Sequence, residues 1–412
     1  MLTPDALALS APGFVGELTR WITLSAVKPQ PTLSLASALA TIAVAKCHRV
    51  RSETGLRTNI FIAGVAPSGA GKNHPIEQSK SILELAELSH LVCGEPASGP
   101  GLLRSVSDGN GRRIITWDEF GYSLSQLTGK GSVGFQHEVL SIMMKLFSCA
   151  NTYISGKELS NADGQYRPVY IRQPGLVVLA YSTPDRFWNC LSQDQAVDGF
   201  IARWLFVEAE DDVVENETPT LTPPMHVIQY LKTVQTWSGS EGNEGNLAFL
   251  TPVPAIAKLD EKAKGMMRAT RIIFNERKKE ARKEEGAELD ALWARGAEHV
   301  MKVAMTVAVE TEIHEKDIEW SHHFVLNSLE LIQQVLLERI GDNNLERMSK
   351  KVLRLIKSFG GTLTHKELVK KTQFLDRQER TKVLDNLLDA ERLVVEYRDD
   401  GEGERYPSYY LP

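Results

Sequence analysis

The sequence predicts an α/β protein whose central part holds a largely parallel sheet, with helical regions before and after it. Between residues 57 and 210, short apolar runs with strand character (TNIFIAGV, RRIITW, GLVVLAYS and WLFVEA) alternate with helical segments. Such alternation favours a parallel sheet covered by helices. The chain ends in two aromatic or β-branched runs around a Gly-containing turn, which predicts a β-hairpin.

The composition is typical of globular proteins. The 412 residues carry a net charge of −6 and 42% are hydrophobic, which excludes a wholly disordered chain and a uniformly basic nucleic-acid coat. The four cysteines, at 47, 93, 149 and 190, are too widely spaced for a zinc ribbon, so a reducing, cytoplasmic location is expected. We recognise no signal peptide, and the most apolar window, 33–45, is too short to span a bilayer.

Shifts in composition predict five regions along the chain. They are an N-terminal helical collar (1–46), an α/β core (47–212), a linker or surface excursion with one helix inside it (213–254), a helical lid (255–342) and a C-terminal winged helix-turn-helix (343–412). The last assignment depends on three helical patterns followed by the predicted hairpin.

A glycine-rich segment, 64–73 (GVAPSGAGKN), directly follows a predicted strand and precedes a helical pattern. Nucleotide phosphates need exposed backbone N–H groups, a helix N-terminus and one reaching ammonium. Gly69 and Gly71 would open such a loop, and Lys72 would supply the charge for the β- and γ-phosphates. The predicted nucleotide contacts are Pro67, Ser68, Gly69, Ala70, Gly71, Lys72 and Asn73.

The match to a phosphate loop has two defects. Ala66 replaces the first glycine of the pattern, and Asn73 replaces the Ser or Thr that holds Mg²⁺. An Asn carbonyl oxygen can still reach the metal directly or through water. A simple strand-to-helix connection is the alternative interpretation.

Two adjacent carboxylates end the predicted strand RRIITW. In a nucleotide hydrolase, Asp118 would hold Mg²⁺ and Glu119 would polarise the attacking water. Two solvated acids at a strand tip are the alternative, but the spacing from the phosphate loop favours a site for ATP, or a related nucleotide, with Mg²⁺.

Three further positions fit a nucleotide hydrolase. The strand PGLVVLAYSTP ends in Ser182 and Thr183, whose hydroxyls can touch the γ-phosphate or the water; capping of the following helix is the alternative. Arg203 lies in an apolar context before a strand, where an unpaired arginine is costly. An arginine finger that bridges subunits explains it, and an internal salt bridge is the alternative.

The order of these motifs resembles the phage- and prophage-encoded P-loop helicase-like proteins, which are related to the AAA+ and superfamily 3 replicative helicases. The resemblance covers about residues 12–340 and depends on APSGAGKN, IITWDEFG, YSTP and DGFIARWLFVEAED. It implies a three-layer P-loop ATPase core that assembles as a ring, usually a hexamer, with Arg203 acting on the neighbour's ATP. Other replication proteins are further partners that it implies.

The resemblance also implies contacts to DNA. A hairpin before the strand of Ser182 would project into the ring pore, where Lys157, Arg167 or Arg172 would touch phosphates; a solvated surface hairpin is the alternative. By analogy, Arg295 would reach the nucleotide from the lid side, whereas pairing with Glu298 or Glu288 is the alternative.

The C-terminal segment 345–412 carries a net charge of only +2. Its presumed recognition helix offers Arg377, Arg380 and Lys382 to DNA, and protein docking or simple packing is the other interpretation.

Two functions from different classes fit the sequence. One is an ATP-dependent DNA motor, a 3′-to-5′ replicative helicase of a phage or mobile element that works as a ring. The other is a non-motor module that binds nucleotide through a degenerate phosphate loop and contacts DNA or protein.

Overall fold

The computed structural model divides the chain into two units, residues 1–333 and residues 334–412. It describes residues 2–128, 134–156, 169–190, 199–209, 213–217, 221–237, 253–284, 287–399 and 405–411. The five regions expected from the sequence are a finer division and stay a prediction. Among the described residues, no helix is both long and apolar enough to cross a membrane.

A parallel sheet lies at the centre of the first unit. The strands of this unit are β1 (Val50–Ser52), β2 (Phe61–Val65), β3 (Val92–Cys93), β4 (Arg112–Trp117), β5 (Tyr153–Ser155), β6 (Tyr170–Arg172), β7 (Gly175–Ser182), β8 (Trp204–Glu208), β9 (Ala255–Leu259) and β10 (Glu312–Ile313). Five of them pair in parallel in the spatial order β3-β4-β7-β2-β8. The predicted α/β class with a parallel sheet is thereby confirmed. β1, β9 and β10 form a second parallel sheet, and β5 and β6 pair as an antiparallel ribbon.

Helices surround the central sheet. They are α1 (Pro4–Leu9), α2 (Gly13–Leu24), α3 (Pro31–Lys46), α4 (Asn73–Leu85), α5 (Gly99–Asp108), α6 (Phe120–Thr128), α7 (Gly134–Ser148), α8 (Pro184–Cys190), α9 (Met225–Val234), α10 (Glu261–Glu284), α11 (Ala287–Ala294) and α12 (Gly296–Val307). Every residue of α3 is buried, because its many Ala, Ser and Thr side chains let it lie close to β2 and β7. The approach requires Gly64 in β2, where a Cβ atom would lie 2.4 Å from the ring of Tyr181.

A buried lysine joins the N-terminal helices to α12. The ammonium of Lys46, at the end of α3, donates hydrogen bonds to the carbonyls of Met305 (2.9 Å), Thr306 (3.2 Å) and Ala308. The last carbonyls of a helix have no partner within the helix, and a cation there is favourable. The predicted collar and lid therefore belong to one packed unit.

Part of the segment expected to be a linker is also packed into this unit. In α9, apolar residues recur at helical spacing and are buried: Val227, Ile228, Leu231 and Val234. The ring of Tyr230 lies 4.1 Å from that of Phe14, centroid to centroid. α9 lies where one helix was expected inside the linker or surface excursion 213–254, and it buries its apolar face against α2 and α3.

The second unit joins helices to a small antiparallel sheet. Its elements are the C-terminal part of α13 (Glu315–Ser358), then β11 (Thr362–Thr364), α14 (His365–Lys371), α15 (Arg377–Asp389), β12 (Val394–Asp399) and β13 (Arg405–Tyr410). β12 and β13 pair antiparallel, as the hairpin prediction required, and β11 adds to β13. The core includes Ile356, Leu368 and Leu387. The winged-helix assignment stays a prediction.

Candidate nucleotide site

An open cleft of about 560 Å³ lies at the carboxyl edge of the central sheet. Because β4, β7 and β2 are parallel neighbours, the segments that follow them meet at this edge. Its lining includes Pro67, Ser68, Glu119, Thr183, Asp185 and Arg186. The folding of the sheet thus brings together the glycine-rich loop, the acid pair and the polar strand end.

The glycine-rich loop between β2 and α4 depends on two left-handed residues. Gly69 has φ +81° and Gly71 has φ +85°, a backbone region that other residues rarely adopt. No atom lies within 4 Å of where a Cβ of Gly69 would stand, whereas a Cβ of Gly71 would lie 3.1 Å from Cβ of Lys28. The loop therefore leaves its backbone open beside Gly69, next to the start of α4, as anion binding requires.

Lys72 closes back onto this loop. Its Nζ donates hydrogen bonds to the carbonyls of Ala66 (3.1 Å) and Pro67 (3.2 Å), and the residue is 7% exposed. Burial lowers the pKa of the ammonium, while the nearby carboxylates of Glu119 and Asp118 oppose that shift. The hydrogen bonds of the Lys72 ammonium go to neutral carbonyl oxygens. An oxygen of a phosphate bound in the cleft can take the place of these carbonyls as the acceptor.

The acid pair sits in a strained turn after β4. Glu119 has φ +49°, and its N–H donates to Oδ1 of Asp118 (2.9 Å). Non-glycine residues in this backbone region are uncommon and cluster at functional sites. The turn leaves Glu119 exposed in the cleft and Asp118 half-buried beside it.

Mg²⁺ would depend on few protein ligands here. Within the described ranges, no group of three or more His, Cys, Asp or Glu side chains is placed to hold a metal. Mg²⁺ usually takes one or two carboxylates and completes its shell with water and phosphate oxygens. Asp118 with the amide of Asn73, the exposed first residue of α4, suits that mode of binding.

Ser182 and Thr183, treated alike in the sequence, differ in the structure. Ser182 is buried, and its Oγ accepts the N–H of Gly121 (3.0 Å) in the first turn of α6. It therefore holds the turn that carries Glu119, instead of capping the helix after it. Thr183 is half-buried and lines the cleft, so it is the hydroxyl that can reach a bound ligand.

Two charged residues of the cleft were missed by the sequence reasoning. Asp185 and Arg186 follow Thr183 in the first turn of α8 and are exposed in the lining. The guanidinium of Arg186 lies 5.9 Å from the ring centroid of Tyr122. The only available signal was their position three and four residues after the end of β7.

Arg203 lies at the opposite edge of the sheet. It directly precedes β8, and Trp204 pairs with Phe61, the first residue of β2, whereas the loop follows the last. Its guanidinium donates to the carbonyl of Gly199 (2.6 Å) and to Oγ of Ser148 (3.4 Å). Among the described residues it forms no salt bridge, and its buried Nε has no hydrogen-bond partner.

Arg295 lies near Arg203 and away from the glycine-rich loop of its own chain. It forms a salt bridge with Glu298 (2.9 Å), and its guanidinium lies 5.8 Å from the ring centroid of Phe147, which packs on Phe61. Burial and, after it, the charge of Arg295 lower the pKa of Arg203. The expected approach to the nucleotide from the lid of the same chain is therefore not seen. Nε2 of His299 in α12 is hydrogen-bonded to the carbonyl of Ala202 (2.9 Å), which places the start of this helix beside Arg203.

The residues expected to contact DNA are only partly described. Lys157 and Arg167 lie outside the described residues. Arg172 is exposed at the end of β6 in the antiparallel ribbon. In the second unit, Arg377 and Lys382 are exposed on α15, but five positions separate them, about 140° around a helix.

The guanidinium of Arg380 forms hydrogen bonds within its own unit. Its guanidinium donates to Oγ1 and to the carbonyl of Thr372 (2.8 and 3.1 Å) and to the carbonyl of Leu375 (2.8 Å). These bonds close the turn between α14 and α15. Arg380 is thereby occupied within its own unit, unlike Arg377 and Lys382.

No family model matches the sequence, and no curated protein matches it. Among solved structures, a full-length MCM homologue from Methanopyrus kandleri is similar to the chain with a TM-score of 0.39 and 13% sequence identity. The match covers 79% of this chain and 60% of that one, so the chain spans less than two thirds of that protein's length.

Proposed function

We propose that this chain is an ATP-hydrolysing DNA motor of the helicase type that works as a ring. The proposal includes an AAA+-like P-loop core, a C-terminal winged helix, and an origin in a phage or other mobile element. Hexameric assembly and 3′-to-5′ movement on DNA belong to it as expectations from the resemblance.

One observation carries the proposal. At a single cleft the chain combines a glycine-rich loop with an inward-folded lysine, a carboxylate pair in a strained turn, and a hydroxyl on the strand between them. Phosphoryl transfer needs a cation for the phosphates, a carboxylate for Mg²⁺ and a base for water within one site.

Each residue then has a role. Lys72 and the loop N–H groups bind the phosphates, Asp118 and Asn73 hold Mg²⁺, and Glu119 takes a proton from the attacking water. Mg²⁺, when bound, offsets charge on the phosphates. Thr183 orients the water or a γ-phosphate oxygen, while Ser182 keeps the turn of Glu119 in place.

Arg203 supports the ring. A guanidinium with an unpartnered buried Nε lies at the edge of the sheet farthest from its own cleft. In a ring built by one repeated head-to-tail contact, that edge can face the cleft of the next subunit. Arg203, with Arg295 beside it, would then stabilise charge on the neighbour's transferring phosphoryl group.

A nucleotide-binding module without turnover is the second candidate. Asn73 in place of Ser or Thr favours it, since a weaker Mg²⁺ site slows hydrolysis more than binding. The same loop would then hold nucleotide as a structural or switching ligand.

Two variants of the cleft test the proposal. Lys72→Ala should abolish ATP binding, since the loop loses its side-chain charge on the β- and γ-phosphates. Glu119→Gln should retain binding but lose turnover, since an amide cannot accept the proton of the water. Binding is measured with a fluorescent ATP analogue, and turnover as phosphate release with and without single-stranded DNA.

The matched control is Glu84→Gln, which removes one negative charge from the exposed surface of α4 outside the cleft. It should behave as the wild-type protein does. Turnover by Glu119→Gln at the wild-type rate would assign water activation to another residue. Nucleotide binding without any turnover, or turnover that DNA does not stimulate, would favour the second candidate.

A further inference from the structure

Helix α10 carries a row of cations that the nucleotide site does not use. Glutamates are interspersed with these cations in the sequence, which on its own favours ion pairs about one turn apart. The helix separates the two signs, because each residue is turned by about 100° from the one before it. Six cations fall within a sector of about 100° and form what we call the basic stripe. They are Lys264, Arg268, Arg271, Lys278, Lys279 and Arg282.

The charge of the basic stripe is mostly uncompensated. Glu276 and Glu280 are exposed on the other flank of α10, on average about 130° from the middle of the stripe. The carboxylate of Glu280 lies 3.9 Å from Arg277, which is outside the stripe. Among the residues that the structure describes, Lys264 is the one member of the stripe with a carboxylate partner, Glu261 (2.7 Å). The other five cations are free to meet an anion.

The apolar face of α10 is used for packing within its unit. Ala263, Met267 and Phe274 are buried, and the ring of Phe274 lies 6.0 Å, centroid to centroid, from that of Trp293 in α11. A helix that binds a membrane surface inserts its apolar face among the lipids. Because packing already occupies that face, the stripe does not belong to such a helix. The same packing holds the stripe on a fixed support.

The length of the stripe indicates the kind of anion that fits it. From Lys264 to Arg282 it follows one continuous helix for about 27 Å. Double-stranded DNA carries one negative charge for about every 1.7 Å of its axis, and its persistence length of about 50 nm keeps it stiff over this distance. A flexible single strand must first be ordered to follow a fixed row of cations, and this ordering costs entropy. The stripe therefore favours a duplex.

We propose that the basic stripe of α10 binds the phosphate backbone of double-stranded DNA. The choice of DNA rests on the proposed motor. The inference adds to that motor a separate contact for the duplex that has not yet been opened, made by the outer face of a helix and distinct from any contact to the separated strand. Because the contact is made by charge, it depends strongly on salt.

The acidic flank of a second copy of α10 fits the stripe less well. It offers the carboxylates of Glu276 and Glu280, and the second of these already faces Arg277. A duplex as long as the stripe carries about 16 negative charges, so it can supply a phosphate to each unpaired cation. The balance of charge therefore favours DNA over this contact between copies.

Single substitutions within the stripe test the proposal. Fluorescence anisotropy would measure binding of a labelled duplex of about 20 base pairs, which at about 3.4 Å per base pair is longer than the stripe. Arg268→Gln and Arg271→Gln should each weaken duplex binding about five- to tenfold at 0.1 M salt. Each should also lower the slope of log affinity against log salt by about 0.9, the value for one lost phosphate contact on a duplex.

The matched control is Lys262→Gln on the same helix. Lys262 is exposed about 150° from the middle of the stripe, and its substitution removes the same charge. This variant should bind the duplex as the wild-type protein does. All three variants should keep the wild-type affinity for oligo-dT of equal length, because the stripe favours the stiff duplex. Their thermal midpoints should equal that of the wild-type protein, since the substituted side chains are exposed.

Several results would overturn the duplex site. Unchanged duplex affinity in both arginine variants, or an equal loss in Lys262→Gln, leaves no role for the stripe. An equal loss of oligo-dT binding would assign the stripe to the single strand. A lower native mass of the arginine variants with unchanged duplex affinity would assign it to a contact between copies.

The proposed motor is tested separately by the wild-type protein. ATP hydrolysis that single-stranded DNA stimulates would keep the motor standing in each of those cases. Wild-type protein that binds neither the duplex nor oligo-dT would reject both the duplex site and the motor.

Discussion

Removal of the Arg203 guanidinium should stop hydrolysis without affecting nucleotide binding by the same subunit. Trp204 pairs with Phe61, and the glycine-rich loop starts after Val65, so Arg203 and that loop are separated along the strands by five residues, about 16 Å. The hydrogen bonds to Gly199 and Ser148 hold the guanidinium at its own edge. Arg203 therefore cannot reach the cleft of its own chain.

The expected magnitudes separate catalysis from stability. Arg203→Ala loses one short hydrogen bond and one long one, which should lower the free energy of unfolding by about 1–2 kcal/mol. Loss of an arginine finger lowers kcat by on the order of 10³, equivalent to about 4 kcal/mol of activation free energy. The ATP affinity of an isolated subunit should stay at the wild-type value.

A mixing assay gives the decisive readout. Arg203→Ala subunits keep the cleft but lack the arginine, and Lys72→Ala subunits keep the arginine but lack a cleft that binds ATP. Each variant alone is therefore inactive. In mixed rings, about a quarter of the interfaces combine an intact cleft with an intact arginine. ATPase activity should therefore return in part when the two variants are mixed, measured as phosphate release. If native mass spectrometry shows mixed rings and no activity returns, Arg203 does not act across the interface.

Two predictions concern the fold. Burial lowers the pKa of His48 to about 3 and of His299 to about 4. Below pH 6.5 the unfolded chain therefore binds more protons than the folded protein, and the stability of the folded protein decreases as the pH is lowered. The denaturation midpoint of His299→Gln should fall less between pH 6.5 and 4 than that of the wild-type protein, and equal slopes would contradict this. Arg380→Ala should destabilise the second unit by roughly 2 kcal/mol, since three hydrogen bonds are lost from a half-buried group. Arg377→Gln should leave its thermal midpoint unchanged but weaken DNA binding; equal midpoints for both variants would refute the assignment.

The glycine-rich loop and the acid pair were predictable because their chemistry is local. Gly69, Gly71 and Lys72 follow a strand within a few residues, and Asp118 and Glu119 directly end another. Parallel strands bring their carboxyl ends to one edge, so the pattern alone indicated where these groups would meet.

Helix α9 shows where local patterns fail. One helix was expected inside the linker or surface excursion 213–254, but Pro, Gly, Ser and Asn on both sides of it gave no sign that its apolar face is covered. Only the partner surface on α2 and α3 makes those apolar side chains part of a core, because a short helix gains its stability mainly from packing.

The sequence by itself determined the α/β class, the parallel sheet, the terminal hairpin and the segments that line the cleft, because strand periodicity, glycine and turn chemistry act over neighbouring residues. The tertiary structure alone decided which hydroxyl faces the cleft and which arginines lie together at the opposite edge of the sheet. It also decided that Arg380 forms its hydrogen bonds within the turn of the second unit. Ser182 and Thr183 are adjacent in sequence, yet the approach of α6 engages the first and leaves the second open. Those outcomes depend on contacts between residues distant in sequence, where register and helix packing set the direction of each side chain.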